Sequence, residues 1–93
     1  MTDILERQLS CSDAVADSSV GDETVILHLT DGTYYGLDVV GTRIWTMIKH
    51  GVSTSDICQR LAEDFETDLA TIEADARKFL SDLEAQGILI VGP

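Results

Sequence analysis

Residues 24–45 read TVILHLTDGTYYGLDVVGTRIW, and this stretch decides the fold because it predicts strand, turn, strand and helix in succession. Its first part is rich in β-branched and apolar side chains, which favour a strand. Asp31-Gly32 is a strong hairpin signal, since glycine accepts the positive φ angles that tight turns require. Residues 33–37 then predict the returning strand, and Asp38 is a typical N-cap for a helix. The centre of the chain is therefore a β-hairpin that leads directly into a helix.

The first strand of this hairpin has two faces, because successive side chains of a strand point to opposite sides. One face carries Val25, Leu27 and Leu29, and the other carries Thr24, Ile26, His28 and Thr30. We expect His28, on the face opposite to Leu27 and Leu29, to be exposed to solvent.

A further strand is predicted upstream of the hairpin. Residues 14–20 form a weak strand candidate with few large side chains, and Gly21-Asp22 predicts the turn after it. Three consecutive strands of this kind form an antiparallel meander in which residues 33–37 lie at one edge. No element is assigned to residues 1–13, and the sequence leaves their order open.

In the second half of the chain, apolar residues recur with the spacing of one helix face, which predicts three helices. They cover residues 39–50, a segment that opens at Ser53 with a capping pattern, and residues 68–86. Gly51 and Gly87 end the first and third helices, because glycine is common just past a helix C-terminus. The apolar positions are Val40, Ile44, Trp45, Met47 and Ile48 in the first helix, Ile57, Leu61 and Phe65 in the second, and Leu69, Ile72, Ala76, Phe79, Leu80 and Leu83 in the third.

Strands in one block and helices in the next indicate the α+β class, with the helices packed on one face of the sheet. The predicted architecture is a three-stranded antiparallel sheet followed by three helices, in one domain spanning residues 1–93. The short apolar run at residues 88–91 predicts a last strand or a docked extension.

The chain of 93 residues carries 6 Lys and Arg against 17 Asp and Glu, a formal net charge of −11. Nucleic-acid binding draws most of its affinity from lysine and arginine, so this balance argues against a nucleic-acid partner. No apolar segment approaches the ~20 residues of a membrane span, and the N-terminus lacks the layout of a signal peptide. We therefore expect a cytoplasmic protein with no membrane partner. We expect its two cysteines, Cys11 and Cys58, to be reduced, and a single structural disulfide is the alternative.

Residues suited to catalysis are scarce. The two histidines, His28 and His50, have no Cys or His at metal-ligand spacing, and His50 is explained by its place at the C-terminal end of a helix. No nucleophile can be combined with a base and an orienting group, and the glycines match neither phosphate-binding pattern. We expect no enzymatic activity, no catalytic residue, no metal site and no cofactor.

The third helix carries an organised set of acidic residues. Asp68, Asp75 and Asp82 are seven residues apart, so they lie along one flank of the helix, beside the apolar positions Ile72 and Phe79. Such a flank could receive a peptide with one or two basic residues among apolar anchors. Alternatively, these carboxylates are the solvated side of an ordinary amphipathic helix, as most acidic residues of the chain are expected to be.

The edge strand at residues 33–37 is the second candidate for binding. It contains Tyr34 and Tyr35 but neither lysine nor proline, which usually protect an edge from pairing. An extended peptide could add there as a further strand, with its backbone supplying affinity and its alternate side chains supplying specificity. Alternatively, one tyrosine simply packs against the first helix, and both interpretations hold together because the two rings face opposite ways.

Residues 35–45 read YGLDVVGTRIW and follow the pattern Y-x-L-[ND]-x-x-[GA]-x-x-[IV]-W throughout. Residues 51–57 follow G-x-[ST]-x-x-[DE]-I, and residues 87–89 match a closing G-[IL]-L. In order and spacing, these motifs resemble the PqqD-like family, the recognition elements for precursors of ribosomally synthesised and post-translationally modified peptides (RiPPs). The resemblance covers residues 20–89, and the chain is most similar to the standalone elements of lasso-peptide clusters.

This resemblance implies a winged-helix-like fold and a non-catalytic function. Members of the family hold the leader segment of a precursor peptide as an added strand, beside the third strand and the third helix, and deliver it to modifying enzymes. The implied partners of this chain are a precursor leader peptide and a leader peptidase or other modifying enzyme of the same pathway. The implied peptide-binding residues are Thr33, Tyr34, Tyr35, Gly36 and Leu37 on the strand and Ile72, Asp75, Phe79 and Asp82 on the helix.

Two other functions are compatible with the residues. A structural or oligomerisation subunit would use the same strand edge to pair with a second copy. A DNA-binding winged helix has the same order of elements, but it needs basic residues on its second or third helix. Arg60 is the only such residue on the second helix, and Arg77 and Lys78 stand among acidic residues on the third.

Overall fold

The computed structural model describes residues 3–92, which form five strands, three α-helices and one 3-10 turn. The predicted block of strands followed by helices is confirmed, and the fold class is α+β. In chain order the elements are the 3-10 turn (Ile4–Glu6), β1 (Leu9–Cys11), β2 (Val15–Val20), β3 (Glu23–His28), β4 (Tyr34–Leu37), α1 (Val39–Lys49), α2 (Thr54–Asp64), α3 (Leu69–Ala85) and β5 (Leu89–Val91).

The predicted meander is an antiparallel sheet in the order β2-β3-β4. In its register Ile26 of β3 lies between Asp17 of β2 and Tyr35 of β4. The hairpin loop between β3 and β4 contains the predicted Asp31-Gly32 pair, and Gly32 has a φ of +74°. The loop is closed by the His28 N–H, which donates to the Thr33 carbonyl at 2.8 Å.

A second, two-stranded sheet pairs β1 with β5 in antiparallel fashion. The strand at residues 89–91 confirms one of the two alternatives for the C-terminal apolar run, whereas β1 and the 3-10 turn were not predicted. Their residues form no long periodic pattern, and β1 is paired only through a strand from the other end of the chain. Within the segment 1–13, whose order the sequence leaves open, residues 1 and 2 lie outside the described residues.

The face of β3 that meets the helices is the opposite of the one expected. Ile26 is fully buried and Thr24 is 4% exposed, whereas Leu29 is 59% exposed. The prediction that His28 is exposed is therefore wrong, since its side chain is only 14% exposed and lies on the helical face. Apolar residues occupy both faces of this strand, so hydrophobicity alone could not choose between them. The pairing with β4 decides, because it aligns Ile26 with the half-buried Tyr35.

The helices begin as the sequence predicts. The Asp38 carboxylate accepts the Gly41 N–H at 2.8 Å at the start of α1, and the Ser53 hydroxyl accepts the Asp56 N–H at 3.2 Å at the start of α2. The core beneath the helices includes Trp45, Ile57, Leu61, Leu80 and Leu83, each at most 2% exposed. None of the helices in residues 3–92 is long and apolar enough to cross a membrane.

Three side chains predicted for helix core faces lie near the surface instead. Phe65 is 40% exposed because α2 ends at Asp64 and Phe65 is its C-terminal cap. Leu69, the first residue of α3, and Val40, in the first turn of α1, are 39% and 37% exposed. All three positions lie at or next to a helix end.

Asp17 of β2 joins the sheet to α1, a role that the sequence did not reveal. Its carboxylate oxygen Oδ2 accepts hydrogen bonds from Trp45 Nε1 and Lys49 Nζ, both at 2.7 Å. These two donors, first the Lys49 ammonium and then the Trp45 N–H, hold the pKa of the Asp17 carboxyl below its ordinary value of 3.8. These hydrogen bonds join β2, the edge strand opposite to β4, to α1.

We expect Asp17→Ala to lower the free energy of unfolding by about 2 kcal/mol at pH 7, because it leaves the buried Trp45 N–H without its acceptor. A carboxyl whose pKa is lowered by folding stabilises the protein above its unfolded pKa, and this contribution is lost as the pH falls through the folded pKa. The difference between wild type and variant should therefore shrink below about pH 4. Urea denaturation at pH 7 and pH 3 measures this, with Asp22→Ala in the exposed β2–β3 turn as the control. A difference that is equal at both pH values would contradict this role of Asp17.

Both cysteines are free, as predicted, with Cys11 half-buried and Cys58 buried. Burial raises the pKa of the Cys11 thiol to about 11 and also raises the pKa of the Cys58 thiol. Both groups are therefore protonated, unreactive thiols at neutral pH.

Candidate functional site

The first part of the candidate site is the edge of β4, which pairs with β3 on one side and with no other strand of residues 3–92 on the other. In an antiparallel pair, hydrogen-bonded and non-hydrogen-bonded positions alternate. His28 and Thr33 form a hydrogen-bonded pair, because the His28 N–H donates to the Thr33 carbonyl. Every second pair along the register is also hydrogen-bonded, so the backbone groups of Tyr35 and Leu37 point toward β3. The N–H and C=O groups of Tyr34 and Gly36 therefore point away from the sheet, available to a further strand.

The side chains of β4 alternate in the same way. Leu37 is buried and Tyr35 is half-buried against the core, on the helical side of the sheet. Tyr34 is 73% exposed on the opposite side, where Gly36 leaves a gap. The prediction that the two tyrosines face opposite ways and that this strand is an edge strand is confirmed.

The second part is a cavity of about 460 Å³ whose lining includes Asp38, the residue that joins β4 to α1. All three helices contribute to its wall, which is mostly apolar. The lining residues are Asp38, Val40, Gly41 and Ile44 around α1, Leu61, Phe65 and Thr67 at the end of α2, and Ile72, Asp75, Ala76 and Phe79 on α3.

Three of the four residues that the sequence assigned to the helix side, Ile72, Asp75 and Phe79, line this cavity together. Asp82 is one turn further along α3 and does not line it, and neither do residues 33–37. The strand instead leads into the cavity through Asp38, the next residue. The contribution of α1 and of the end of α2 was missed, because their apolar residues had been assigned to the core.

Gly41 sets the distance between α1 and α3 at the cavity. A Cβ atom built on Gly41 would lie 3.2 Å from Phe79 Cε1 and Cζ and 3.2 Å from Asp38 Oδ1. A Cβ at position 41 would therefore fit only if the Phe79 ring moved by a few tenths of an ångström, and a larger side chain would push the ring away from the α1 backbone. This contact explains why a small residue occupies that position of the motif.

The charges around the cavity are unevenly compensated. Arg43 forms an ion pair with Asp64, and its guanidinium carbon lies 5.4 Å from the centre of the Phe65 ring. The Asp38 carboxylate is used as a helix cap. Asp75 is exposed at the rim and has no ion-pair partner within residues 3–92. The rim therefore offers one uncompensated negative charge.

The histidines form no part of this site. The His28 ring lies next to Gly87, where an added Cβ would be 3.1 Å from its Nε2, and the His50 Nδ1 is hydrogen-bonded to the Thr46 carbonyl at 2.9 Å. Within residues 3–92, no group of three or more His, Cys, Asp or Glu side chains is placed to hold a metal ion.

An antiparallel sheet in which β4 is an edge strand, three helices after it and an apolar cavity lined by Asp38 define a small α+β domain. The family described as "Coenzyme PQQ synthesis protein D (PqqD)" matches residues 23–89. This chain therefore belongs to the PqqD family, as its motifs suggested.

A solved structure that is similar to this chain is described as "TbiB1 in Complex with the TbiA(beta) Leader Peptide". The two chains are 40% identical, with a TM-score of 0.83, and the match covers 86% of this chain and 93% of TbiB1. A search of curated proteins gives no match. TbiB1 thus forms a complex with a leader peptide.

Proposed function

We propose that this chain is a non-catalytic adaptor that binds the leader segment of a ribosomally synthesised precursor peptide. The leader adds to the sheet as a strand beside β4, with α3 on its other side. The adaptor then delivers the leader to the modifying enzymes of a lasso-peptide or related RiPP pathway, of which a leader peptidase is one candidate.

The observation that carries this proposal is the position of the cavity relative to the open edge. Consider an added strand that pairs with the outward backbone groups of Tyr34 and Gly36. Its residue level with Leu37 projects its side chain onto the helical face of the sheet. Asp38, the residue after Leu37, lines the cavity, so we assign this leader side chain to the cavity. Backbone pairing and side-chain recognition are thus available to one extended peptide, which is the usual form of strand addition. The complex formed by TbiB1 supports the same function for its 40%-identical relative.

The charge of the domain adds a preference to this proposal. The net charge of −11 and the uncompensated Asp75 at the cavity rim favour a leader with a basic residue beside its apolar anchors. Asp82, further along α3, would extend the same preference if the leader continues in that direction.

A titration followed by amide chemical shifts tests the function. The probes are the leader of a precursor encoded beside the gene for this chain and, as a second peptide, the TbiA(beta) leader. We expect saturable shifts at Tyr34 and Gly36 and around the cavity. If neither peptide binds at tens of micromolar, or if binding leaves residues 34–37 unshifted, the proposal fails.

We expect Asp75→Lys to weaken leader binding about tenfold while leaving the thermal midpoint nearly unchanged. The side chain is exposed and makes no ion pair within residues 3–92, so its replacement breaks no ion pair among them. Calorimetric titration and thermal denaturation measure the two quantities. Asp22→Lys, in the turn between β2 and β3, makes the same change in net charge away from the site. Equal weakening by both variants would assign the effect to overall charge rather than to the rim.

A further inference from the structure

We propose that a side chain of the leader strand also binds on the face of the sheet that the helices leave open. The binding site is a shallow subsite for an aromatic or large aliphatic side chain. We call this subsite the outer patch, and it consists of Val25, Leu27, Tyr34 and Gly36. The inference rests on the proposed function, because the occupant is a side chain of the same leader. It assigns the leader two rows of anchors, one in the cavity and one on the outer patch.

The open face of the sheet is unusually apolar. An antiparallel sheet with one solvated face normally alternates hydrophobic and polar residues. By the register of the three strands, the residues on this face are Ala16, Ser18 and Val20 of β2, Glu23, Val25 and Leu27 of β3, and Tyr34 and Gly36 of β4. Glu23, at the end next to the β2–β3 turn, is the one charged residue among them. In a chain with 25% charged residues, such a face indicates a contact surface.

The outer patch occupies the part of this face next to the open edge. Val25 is 36% exposed and Tyr34 is 73% exposed, while Leu27 lies directly opposite Tyr34 in the register. Gly36 pairs with Val25, and a Cβ built on Gly36 would have no atom within 4 Å. The patch is therefore a shallow depression over the Gly36 backbone, with Val25 and Tyr34 at its sides.

The geometry of strand addition brings leader side chains to this depression. Residues level with one another in neighbouring strands project to the same face of a sheet. The outward backbone groups belong to Tyr34 and Gly36, so the leader residues that pair with them project onto the open face. The residue level with Gly36 lies beside a position without a side chain, where an aromatic ring covers an exposed glycine.

The leader suits this surface better than a second copy of the chain. The patch borders the edge of β4 with which the leader pairs. Side chains of the added strand therefore reach the patch without a second binding interface. A second copy would bring another net charge of −11 against the first, which opposes self-association.

The test begins with selection from a display library of random peptides on the wild-type protein. A synthetic copy of the most enriched peptide is then titrated against Val25→Thr/Tyr34→Thr, in which threonine keeps the strand preference and removes the apolar surface. We expect about tenfold weaker binding for this variant. Val20→Thr is the matched control, since Val20 is 66% exposed on the same face but lies on β2, at the opposite edge, and it should bind as the wild type does.

A repeat of the selection on the double variant separates the two rows of anchors. We expect the apolar preference to disappear at alternate positions of the enriched peptides and to persist at the positions between them. Unchanged affinity and unchanged preferences would overturn the outer patch while leaving the proposed function intact. If no peptide is enriched on the wild type, the proposed function itself fails. Sedimentation that shows a wild-type dimer and a monomeric double variant, with equal peptide affinity, would assign the patch to self-association and overturn the inference.

Discussion

Gly36→Pro is expected to lower leader affinity by at least thirtyfold, about 2 kcal/mol, while the protein stays folded. The Gly36 N–H points away from β3, so proline removes a bond that only an added strand would make. The proline ring also occupies the space in front of the edge, which an incoming strand must enter. Proline is tolerated at edge positions of this kind because no hydrogen bond of the sheet is lost. The two measurements are calorimetric titration with the leader and thermal denaturation.

Gly36→Ala is the matched control for this substitution. It keeps the N–H, and the added methyl group meets no atom within 4 Å, so backbone pairing with the leader should survive. Tyr35→Pro gives the opposite contrast, because the Tyr35 N–H points toward β3 and its loss should destabilise the hairpin. If Gly36→Pro is folded and binds the leader as well as Gly36→Ala does, the leader does not add at β4.

Phe79→Ala is expected to weaken leader binding at least tenfold and to lower the free energy of unfolding by about 2 kcal/mol. Phe79 is half-buried, its ring atoms Cε1 and Cζ lie close to Gly41 of α1, and the residue lines the cavity. Its removal therefore opens a gap between α1 and α3 and also takes away a wall of the binding cavity. Urea denaturation and titration of the folded protein measure the two effects.

Leu80→Ala separates stability from binding at this position. Leu80 is the next residue on α3, is fully buried and does not line the cavity. Its replacement should cost more stability than that of Phe79, about 3 kcal/mol, while the folded protein binds the leader normally. If Phe79→Ala affects binding no more than Leu80→Ala does, the cavity is a packing feature and not the leader site.

Together these variants divide the site into parts with different physical roles. In the proposed complex, the edge of β4 supplies backbone pairing that is indifferent to leader sequence, whereas the cavity and the outer patch supply selection between side chains. Asp75 would add a charge preference at the rim. A leader that satisfies all of them needs alternating anchors and one basic residue, a requirement that is stricter than strand pairing alone.

Local patterns were sufficient to predict much of the fold. The Asp31-Gly32 hairpin, the caps at Asp38 and Ser53 and the three helices all depend on residues within a few positions of one another. The edge position of β4 followed from the order of the strands. Ile72, Asp75 and Phe79 were correctly placed on one side of α3, because their spacing is a property of the helix itself.

Contacts between distant segments decided the rest. Three features depend on residues far apart in the sequence. They are the pairing of β1 with β5, the inward orientation of Ile26 and the hydrogen bond between Trp45 and Asp17. The cavity is formed by three helices together, and its shape depends on the approach of Phe79 to Gly41. Hydrophobic attraction has no direction. When a strand has apolar residues on both faces, the elements packed around it therefore decide which face is buried.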